Sequence, residues 1–324
     1  MKVAFMGLML AVQVLATATG AKAQTYGILW QNVTTGRFGV WQVSDHGTVR
    51  GAYDLTTPNP AYSRWPVPNR PNTYYYICGV SPDDPSGCSK TSTYSITELF
   101  PQRVGGFDFL FYNHEIGGMS PQLGDFSGSV TTPGRPLINL DRSAATCDAA
   151  SGCSAAWKMV GTGTFDLSGL PSLLWYNAGT NQFGVWQISN IDVQTVVNYK
   201  SWPACDASCA AYGIPIGAAD FNGDGITDIL WFASDGSLTV FLQNGSGGYS
   251  TRAITQRVPF GFSLVGVRRE SDVAIRLVWY NPFSGELQNW NLDIPTYDIR
   301  VGTLTWTCNG CFPDWHPVGL VPIQ

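Results

Sequence analysis

The hydrophobic pattern of this chain consists of short apolar runs separated by turn-forming residues. The continuous apolar run Leu173–Tyr176 is what a strand buried on both faces requires. A turn at Asn177–Asn181 follows, and then the segment Phe183–Ile188, whose β-branched and aromatic residues are typical of a strand. With flanking segments that begin at Trp157 and at Val196, this stretch predicts four antiparallel strands.

The apolar run recurs along the chain as an aliphatic residue followed by a large aromatic. Its copies are Leu29-Trp30, Leu110-Phe111, Leu174-Trp175, Leu230-Trp231 and Val278-Trp279. Four of the copies have a second large aromatic ten or eleven residues further on, at Trp41, Trp186, Phe241 and Trp290. Fixed self-similarity of this kind indicates a repeat architecture. Because a four-stranded sheet cannot bury both of its faces alone, radial stacking of such sheets as the blades of a β-propeller is the predicted arrangement.

A second phrase, Val or Ile before Gly, opens each repeat. It occurs at Val160-Gly161, Ile216-Gly217, Val265-Gly266 and Val318-Gly319, with a poorer copy at Val104-Gly105. The last full copy has no second strand after it, whereas Ile28–Trp30 has no first strand before it. We therefore predict an all-β propeller with five blades of four antiparallel strands, closed by pairing of the N- and C-terminal segments, since closure removes an exposed sheet edge. The long interval between Leu29 and Leu110 leaves six or seven blades open, and a β-sandwich is the alternative fold.

The N-terminal residues have the pattern of a signal peptide. Lys2 precedes the apolar stretch Val3–Thr17, and Ala21-Lys22-Ala23 is a small-x-small cleavage site. We expect residues 1–23 to be removed and residues 24–324 to form a single propeller domain that is secreted or periplasmic. An N-terminal anchor helix is the alternative, which the shortness of the apolar stretch disfavours. No later apolar run is long enough to span a bilayer, so no membrane insertion is expected after cleavage.

The eight cysteines fall in four close pairs. In an exported chain an even number of cysteines indicates disulfides, and each pair follows a predicted outer strand. We expect the local pairings, although eight cysteines allow 105 connectivities. A redox motif or half a zinc site is the alternative for the last pair. The pairs are Cys78 with Cys88, Cys147 with Cys153, Cys205 with Cys209, and Cys308 with Cys311.

One repeat carries an oxygen-rich loop with the spacing of a calcium site. Asp220, Asn222, Asp224 and Asp228 stand at positions 1, 3, 5 and 9 of this loop, and the carbonyl of Ile226 fits position 7. Calcium takes six to eight hard oxygen ligands in flexible geometry. The intervening glycines permit tight turns. The loop therefore predicts one structural calcium ion, with a simple Asx and Gly turn as the alternative.

The loop sequence and the Ile-Leu-Trp that follows it resemble the FG-GAP or VCBS repeat of integrin-type β-propellers, in their bacterial secreted form. This resemblance is strong over residues 212–244 and weaker over most of 26–320. It implies that the loop joins the first two strands of a blade and that its calcium is structural. The corresponding stretch at 164–172 has too few carboxylates, and the stretch at 268–276 begins with Arg268-Arg269, which would repel a cation. One calcium ion is therefore expected.

These features favour an exported binding module for glycans or surface proteins. Only 13% of the residues are charged and the net charge is −5, so the basic surface that nucleic acid requires is absent. Aromatic residues outside the repeats are candidates for stacking on sugar rings, although packing against their own loops is the simpler alternative for each. They are Trp65, Tyr74, Tyr75, Tyr76, Trp202 and Trp306. A scaffold or assembly protein of the cell envelope fits the same residues.

Catalysis is the less favoured hypothesis. A glycoside-acting propeller needs carboxylates that converge on its axis. The chain has four glutamates, and none of them recognisably occupies an equivalent position in different blades. They are Glu98, Glu115, Glu270 and Glu286. No Gly-x-Ser-x-Gly elbow occurs. The histidines His46, His114 and His316 suggest no Ser-His-Asp grouping. We therefore assign no catalytic residue.

Overall fold

The computed structural model describes the chain in sixteen segments. They are residues 25–32, 38–44, 49–54, 65–66, 74–75, 94–98, 106–113, 119–125, 130–132, 157–190, 195–202, 207–271, 274–294, 296–299, 304–307 and 315–323. Within them the regular structure is 22 strands and one 3₁₀ helix, Ala207–Tyr212. No helix in these segments is long and apolar enough to span a membrane. The predicted all-β class is confirmed.

Thirteen strands lie between residues 25 and 202. They are β1 (Thr25–Asn32), β2 (Phe38–Val43), β3 (Val49–Asp54), β4 (Trp65–Pro66), β5 (Tyr74–Tyr75), β6 (Tyr94–Glu98), β7 (Gly106–Asn113), β8 (Met119–Asp125), β9 (Val130–Thr132), β10 (Trp157–Gly163), β11 (Ser172–Asn177), β12 (Gln182–Asn190) and β13 (Thr195–Trp202). The four strands predicted from Trp157 onward are β10 to β13.

Nine more strands lie between residues 214 and 323. They are β14 (Ile214–Ala219), β15 (Asp228–Phe232), β16 (Leu238–Gln243), β17 (Tyr249–Ile254), β18 (Ser263–Ser271), β19 (Ala274–Asn281), β20 (Glu286–Asp293), β21 (Leu304–Thr307) and β22 (Trp315–Ile323).

The described strands form five four-stranded antiparallel sheets and one short hairpin, β4–β5. Four of these sheets use strands that are consecutive in the chain. Sheet 2 contains β6 to β9, sheet 3 contains β10 to β13, sheet 4 contains β14 to β17, and sheet 5 contains β18 to β21. Sheet 1 has the order β22-β1-β2-β3, so its first strand comes from the C-terminal segment and the other three come from the N-terminal segment. The ladder between β1 and β22 runs from Thr25 opposite Ile323 to Asn32 opposite Trp315.

The first strands of the five sheets contact one another in a cycle. β22 contacts β6, β6 contacts β10, β10 contacts β14, β14 contacts β18, and β18 contacts β22. An edge strand that meets the edge strands of both neighbouring sheets lies at the centre of a ring. The sheets are therefore arranged radially, as the repeat pattern predicts for a β-propeller.

The repeated glycine lets these central strands approach closely. A Cβ atom on Gly161 would lie 2.9 Å from Cβ of Ala218 in the next sheet, and one on Gly266 would lie 2.8 Å from Cγ of Leu320. A Cβ atom on Gly217 would lie 3.0 Å from the Leu264 side chain. A larger residue at Gly161 would press on the Ala218 main chain, and one at Gly217 or Gly266 would displace a leucine side chain of the neighbouring sheet.

The residue before this glycine marks a β-bulge. The register of the first two strands shifts between Met159 and Gly161, between Pro215 and Gly217, and between Leu264 and Gly266. A comparable shift accompanies Gly319 in sheet 1. A bulge increases the local twist of a strand, so the Val-Gly phrase encodes both the twist and the close contact that a central strand needs.

The repeated aromatic residues fill the layers between sheets. Rings on the second and third strands of one sheet lie with centroids 4.4 Å apart for Trp30 and Trp41, 4.9 Å for Trp175 and Trp186, 4.9 Å for Trp231 and Phe241, and 5.4 Å for Trp279 and Trp290. Three apolar clusters separate sheets 3 and 4, sheets 4 and 5, and sheets 5 and 1. Neighbouring sheets are therefore packed together through these apolar clusters.

Candidate functional sites

The predicted calcium loop connects β14 to β15 and is curled by its own side chains. Asp220 accepts hydrogen bonds from the amides of Gly223 (2.6 Å, Oδ1) and Gly225 (3.1 Å, Oδ2). Asn222 Oδ1 accepts from the amide of Asp224 at 3.0 Å, and Asp224 Oδ1 accepts from that of Ile226 at 2.8 Å. These are Asx-type turns, in which a short polar side chain holds the main chain two or more residues on.

Two glycines let the loop make these turns. Gly223 has φ of 85° and Gly225 has φ of 84°, a region that costs residues with a Cβ atom about 1–2 kcal/mol. Their positive φ values turn successive amides toward the inside of the loop. The sequence prediction that both glycines serve tight turns agrees with this geometry.

Asp228, at the end of the loop, holds the start of the loop in place. It is fully buried, and its two carboxylate oxygens accept hydrogen bonds from the amides of Phe221 and Gln243, each at 2.7 Å. Burial raises the pKa of Asp228 to about 7, while these two amide bonds act to lower it and the nearby carboxylates of Asp224 and Asp220 add to the rise. The side chain thus ties the start of the loop to the end of β16.

The loop is held on one side by sheet 3. Thr227 is buried, its amide donates to the carbonyl of Thr164 at 2.6 Å, and its Oγ1 accepts from the Thr164 amide at 2.9 Å. Gly163 leaves the space, because a Cβ atom there would overlap the Thr227 side chain. The loop is therefore part of the contact between two sheets.

On the other side, the loop is held by two residues that the sequence analysis did not assign to it. Arg269 Nη1 donates to the main-chain carbonyl of Asp220 at 2.8 Å and lies 3.4 Å from Asp220 Oδ1. The Tyr297 hydroxyl lies 3.4 Å from the carbonyl of Phe221 and donates to it, and burial raises the pKa of Tyr297. Both residues belong to the part of the chain that forms sheet 5.

The oxygen atoms of the loop are of the kinds that calcium binds. It brings three carboxylates, an amide oxygen and the main chain at Ile226 into one short curl, and carboxylate oxygens have acceptor capacity beyond the hydrogen bonds they make here. Within the described segments, however, no three Asp, Glu, His or Cys side chains are grouped so as to hold a metal ion together. A calcium ion would therefore depend on the Asn222 amide oxygen and the Ile226 carbonyl as well as on Asp220, Asp224 and Asp228.

A second candidate surface consists of two exposed aromatic side chains on neighbouring loops. Phe260 is 100% exposed and Phe283 is 88% exposed. Gly261 lies against the Asn281 side chain, because a Cβ atom there would come within 3.0 Å of Asn281 Nδ2. Asn281 Oδ1 in turn accepts the amide of Phe283 at 2.9 Å. The Asn281 side chain is thus bonded to the loop of Phe283 and lies beside the loop of Phe260.

The loop that bears Phe260 is firmly attached to the core. Val258 and Phe262 on either side of it are buried, and the Val258 amide donates to the carbonyl of Gly236 at 2.9 Å. The adjacent charges compensate each other, since Arg257 Nη1 lies 3.0 Å from Asp235 Oδ2. The two rings therefore point into solvent from an ordered surface. The Arg257–Asp235 ion pair adds no net charge beside them.

The remaining predicted residues are only partly covered by the described segments. Cys209 is disulfide-bonded, and its sulfur lies 3.7 Å from the Tyr249 hydroxyl. The other seven cysteines, and therefore the four predicted pairings, lie outside the described residues. The same is true of Tyr76 and of the side chains of Trp65, Tyr74, Tyr75, Trp202 and Trp306.

The acidic and histidine residues considered for catalysis have structural contacts where they are described. Glu270 Oε1 accepts from Arg276 Nε at 3.0 Å in a largely buried ion pair, and the Arg276 guanidinium lies 4.3 Å from the centre of the Tyr26 ring. Glu286 Oε1 accepts a hydrogen bond from the side-chain Nε2 of Gln288 at 3.0 Å. His316 packs edge-on against Tyr280. The other candidates, Glu98, Glu115, His46 and His114, lie outside the described side chains.

Comparison with protein-family models decides the nature of the repeat. Residues 220–268 match the model of the FG-GAP-like repeat. The chain contains an FG-GAP-like repeat. This repeat begins at the oxygen-rich loop and runs through β15, β16 and β17 into β18, so the resemblance expected from the loop sequence is confirmed.

Beyond the FG-GAP-like repeat, likenesses are distant. No curated protein sequence matches the chain. A Pseudomonas aeruginosa periplasmic gluconolactonase is 12% identical, with 93% of this chain and 70% of that chain covered and a TM-score of 0.37. A putative 6-phosphogluconolactonase from Bacteroides uniformis is 11% identical (94% and 72% covered, TM-score 0.36), and an oligogalacturonate lyase in complex with manganese is 12% identical (87% and 73% covered, TM-score 0.32). These TM-scores are too low to support an argument about function.

Proposed function

We propose that this chain is an exported, closed five-bladed β-propeller, stabilised by one calcium ion, that binds a glycan through aromatic side chains on its loops. The ring of contacts among the first strands and the ladder between β1 and β22 support closure. Export rests on residues 1–23, which lie outside the described segments. Secretion or a periplasmic location follows from that leader.

The pair Phe260 and Phe283 carries the binding proposal. Phe260 is 100% exposed and Phe283 is 88% exposed, and an exposed apolar patch rimmed by polar residues is typical of an interaction site. Asn281 holds the loop of Phe283, and the bond from the Val258 amide to Gly236 holds the loop of Phe260, so little backbone conformational entropy is lost on binding. Flat apolar rings beside amide and hydroxyl groups, such as Asn281 and Ser284, suit the apolar face and the hydroxyls of a neutral sugar.

Binding is tested with a panel of neutral polysaccharides, with and without calcium. Replacing Phe260 and Phe283 together by Ala should weaken binding by about tenfold, since each aromatic contact contributes roughly 0.5–1.5 kcal/mol. The matched control is Leu167→Ala, which removes a 74% exposed apolar side chain from a different loop. Equal binding by the double variant would place the ligand elsewhere. A panel that stays blank, with a protein captured in a Phe260-dependent way, would favour the surface-protein alternative.

The calcium part of the proposal is tested by thermal unfolding. Calcium at about a hundred times its dissociation constant should stabilise the protein by about 2.7 kcal/mol, which raises the melting temperature by roughly 5 °C in a chain of this size. Asp224→Ala should abolish the rise. Asp235→Ala removes the same charge from a similar Asx turn and should leave it intact. A melting curve that chelation does not change would exclude the site.

A further inference from the structure

A positive charge from the chain itself already lies on the proposed calcium loop. Arg269 Nη1 is 3.4 Å from Asp220 Oδ1, and the two side chains are only 15% and 6% exposed. At this burial a charge pair is screened by salt much less than on a surface. The same Nη1 atom donates to the Asp220 carbonyl at 2.8 Å, so the guanidinium contacts both the side chain and the main chain of the first loop residue.

The shape of the loop accommodates this guanidinium. A Cβ atom on Gly223 would lie 2.7 Å from Arg269 Nη2, so the glycine that allows the turn also leaves room for the arginine. Arg269 extends from β18 toward sheet 4. Its neighbours Arg268 and Glu270 alternate to the opposite face, where Glu270 pairs with Arg276. The orientation of Arg269 is therefore set by the strand.

A strained residue gives the loop a second donor from the same side. Tyr297 has φ of 59°, a conformation that is unusual for a bulky residue and that persists only where its surroundings fix it. Its hydroxyl donates to the carbonyl of Phe221. Two consecutive carbonyls of the loop, those of Asp220 and Phe221, are thus bonded to residues of the next sheet.

We propose that Arg269 is an internal counter-cation that holds the loop closed against sheet 5 and competes with calcium for Asp220. This inference rests on the proposed calcium site. A divalent ion at the Asp220 carboxylate would lie within a few ångströms of the guanidinium, and like charges so close repel strongly when they are partly buried. Calcium binding is therefore coupled to displacement of Arg269, which weakens the contact between sheets 4 and 5. As a result, the native chain binds calcium less tightly than its oxygen ligands alone would allow.

The experiment measures calcium binding by calorimetry on the chelator-treated full-length protein, together with melting temperatures without metal. Arg269→Gln and Arg269→Met remove the charge, and the Met side chain retains the volume of the stem. Both should bind calcium roughly tenfold more tightly than the native chain, and both should melt at a lower temperature without metal. Arg269→Lys keeps the charge and should bind calcium with near-native affinity. Arg257→Gln makes the same charge change in an exposed ion pair and should alter neither quantity.

Each outcome bears on one proposal or on both. Equal or weaker calcium binding by the neutral variants would overturn the role of Arg269 and leave the calcium site standing. Binding by the neutral variants alone would support the role of Arg269 and refute a calcium site in the native chain. If neither the native chain nor the variants bind calcium, both proposals fail.

Discussion

Asp228 holds the loop together through its two carboxylate oxygens. Its oxygens are acceptors for the buried amides of Phe221 and Gln243, and a buried amide that loses its acceptor costs about 1–3 kcal/mol. Asp228 therefore has a structural role that does not depend on calcium. Of the other two loop carboxylates, Asp224 is the exposed one and is the better probe of metal binding alone.

Replacing Asp228 by Ala should lower the free energy of unfolding of the metal-free protein by about 2–4 kcal/mol, since two buried donors lose their acceptor. The change is measured as a shift of the urea midpoint at constant slope. Asp228→Asn retains one carbonyl oxygen and should lose clearly less. An Ala variant as stable as the Asn variant would show that the two amides find other partners.

Single residues also show what the sequence could and could not predict about the site. The spacing of Asp220, Asn222, Asp224 and Asp228 was sufficient to predict a curled oxygen-rich loop, because its hydrogen bonds are local. From the sequence, Arg269 is only a charge that repels calcium from its own repeat. Its actual contact lies 49 residues back in the chain, and no local spacing rule connects the two positions.

Among the elements, the first strands of sheets 3, 4 and 5 depend on their glycines. The Val-Gly phrase is a bulge followed by a position without a side chain, and both features recur in sheets 3, 4 and 5. The neighbouring strand occupies the space that a Cβ atom would need. The same two-residue phrase therefore produces a similar contact between successive sheets.

Gly217→Val should lower the free energy of unfolding by about 1–3 kcal/mol, the usual cost of extra volume in a filled core. The added methyl groups would meet Leu264 and Val267 of sheet 5. Thr251→Val, at an exposed position of the outermost strand β17, adds a similar apolar group in a strand and serves as the control in the same denaturant titration. Equal stability of the two variants would mean that sheets 4 and 5 can separate at little cost.

In the molecule as a whole, the ladder between β1 and β22 joins the two ends of the chain. Leu320 of β22 is buried in the cluster between sheets 5 and 1, and it fills the space beside Gly266. Long-range closure of this kind makes the two terminal strands depend on each other. Their stability should therefore change together.

Leu320→Ala should cost about 2–5 kcal/mol, as for other buried leucines. In hydrogen-exchange measurements the amides of β1 and β22 should lose protection to the same extent. Ile214→Ala, at a half-exposed position of the central strand β14, should have little effect. Loss of protection in β22 alone would show that β1 is held by β2 and not by the C-terminal strand.

The pattern of residues was sufficient for the repeat, for the four strands of sheet 3, for the aromatic pairs and for the oxygen-rich loop, because each of these depends on periodicity or on neighbours within about a dozen residues. The phrase Val104-Gly105 did not locate the first strand of sheet 2, which is Tyr94–Glu98. It was not sufficient for the contacts Thr164–Thr227, Asp220–Arg269 and Phe221–Tyr297, which join residues 63, 49 and 76 positions apart. It also did not select Phe260 and Phe283 as exposed rings. Those features arise only when adjacent sheets pack together, since packing alone decides which distant side chains meet and which remain in water.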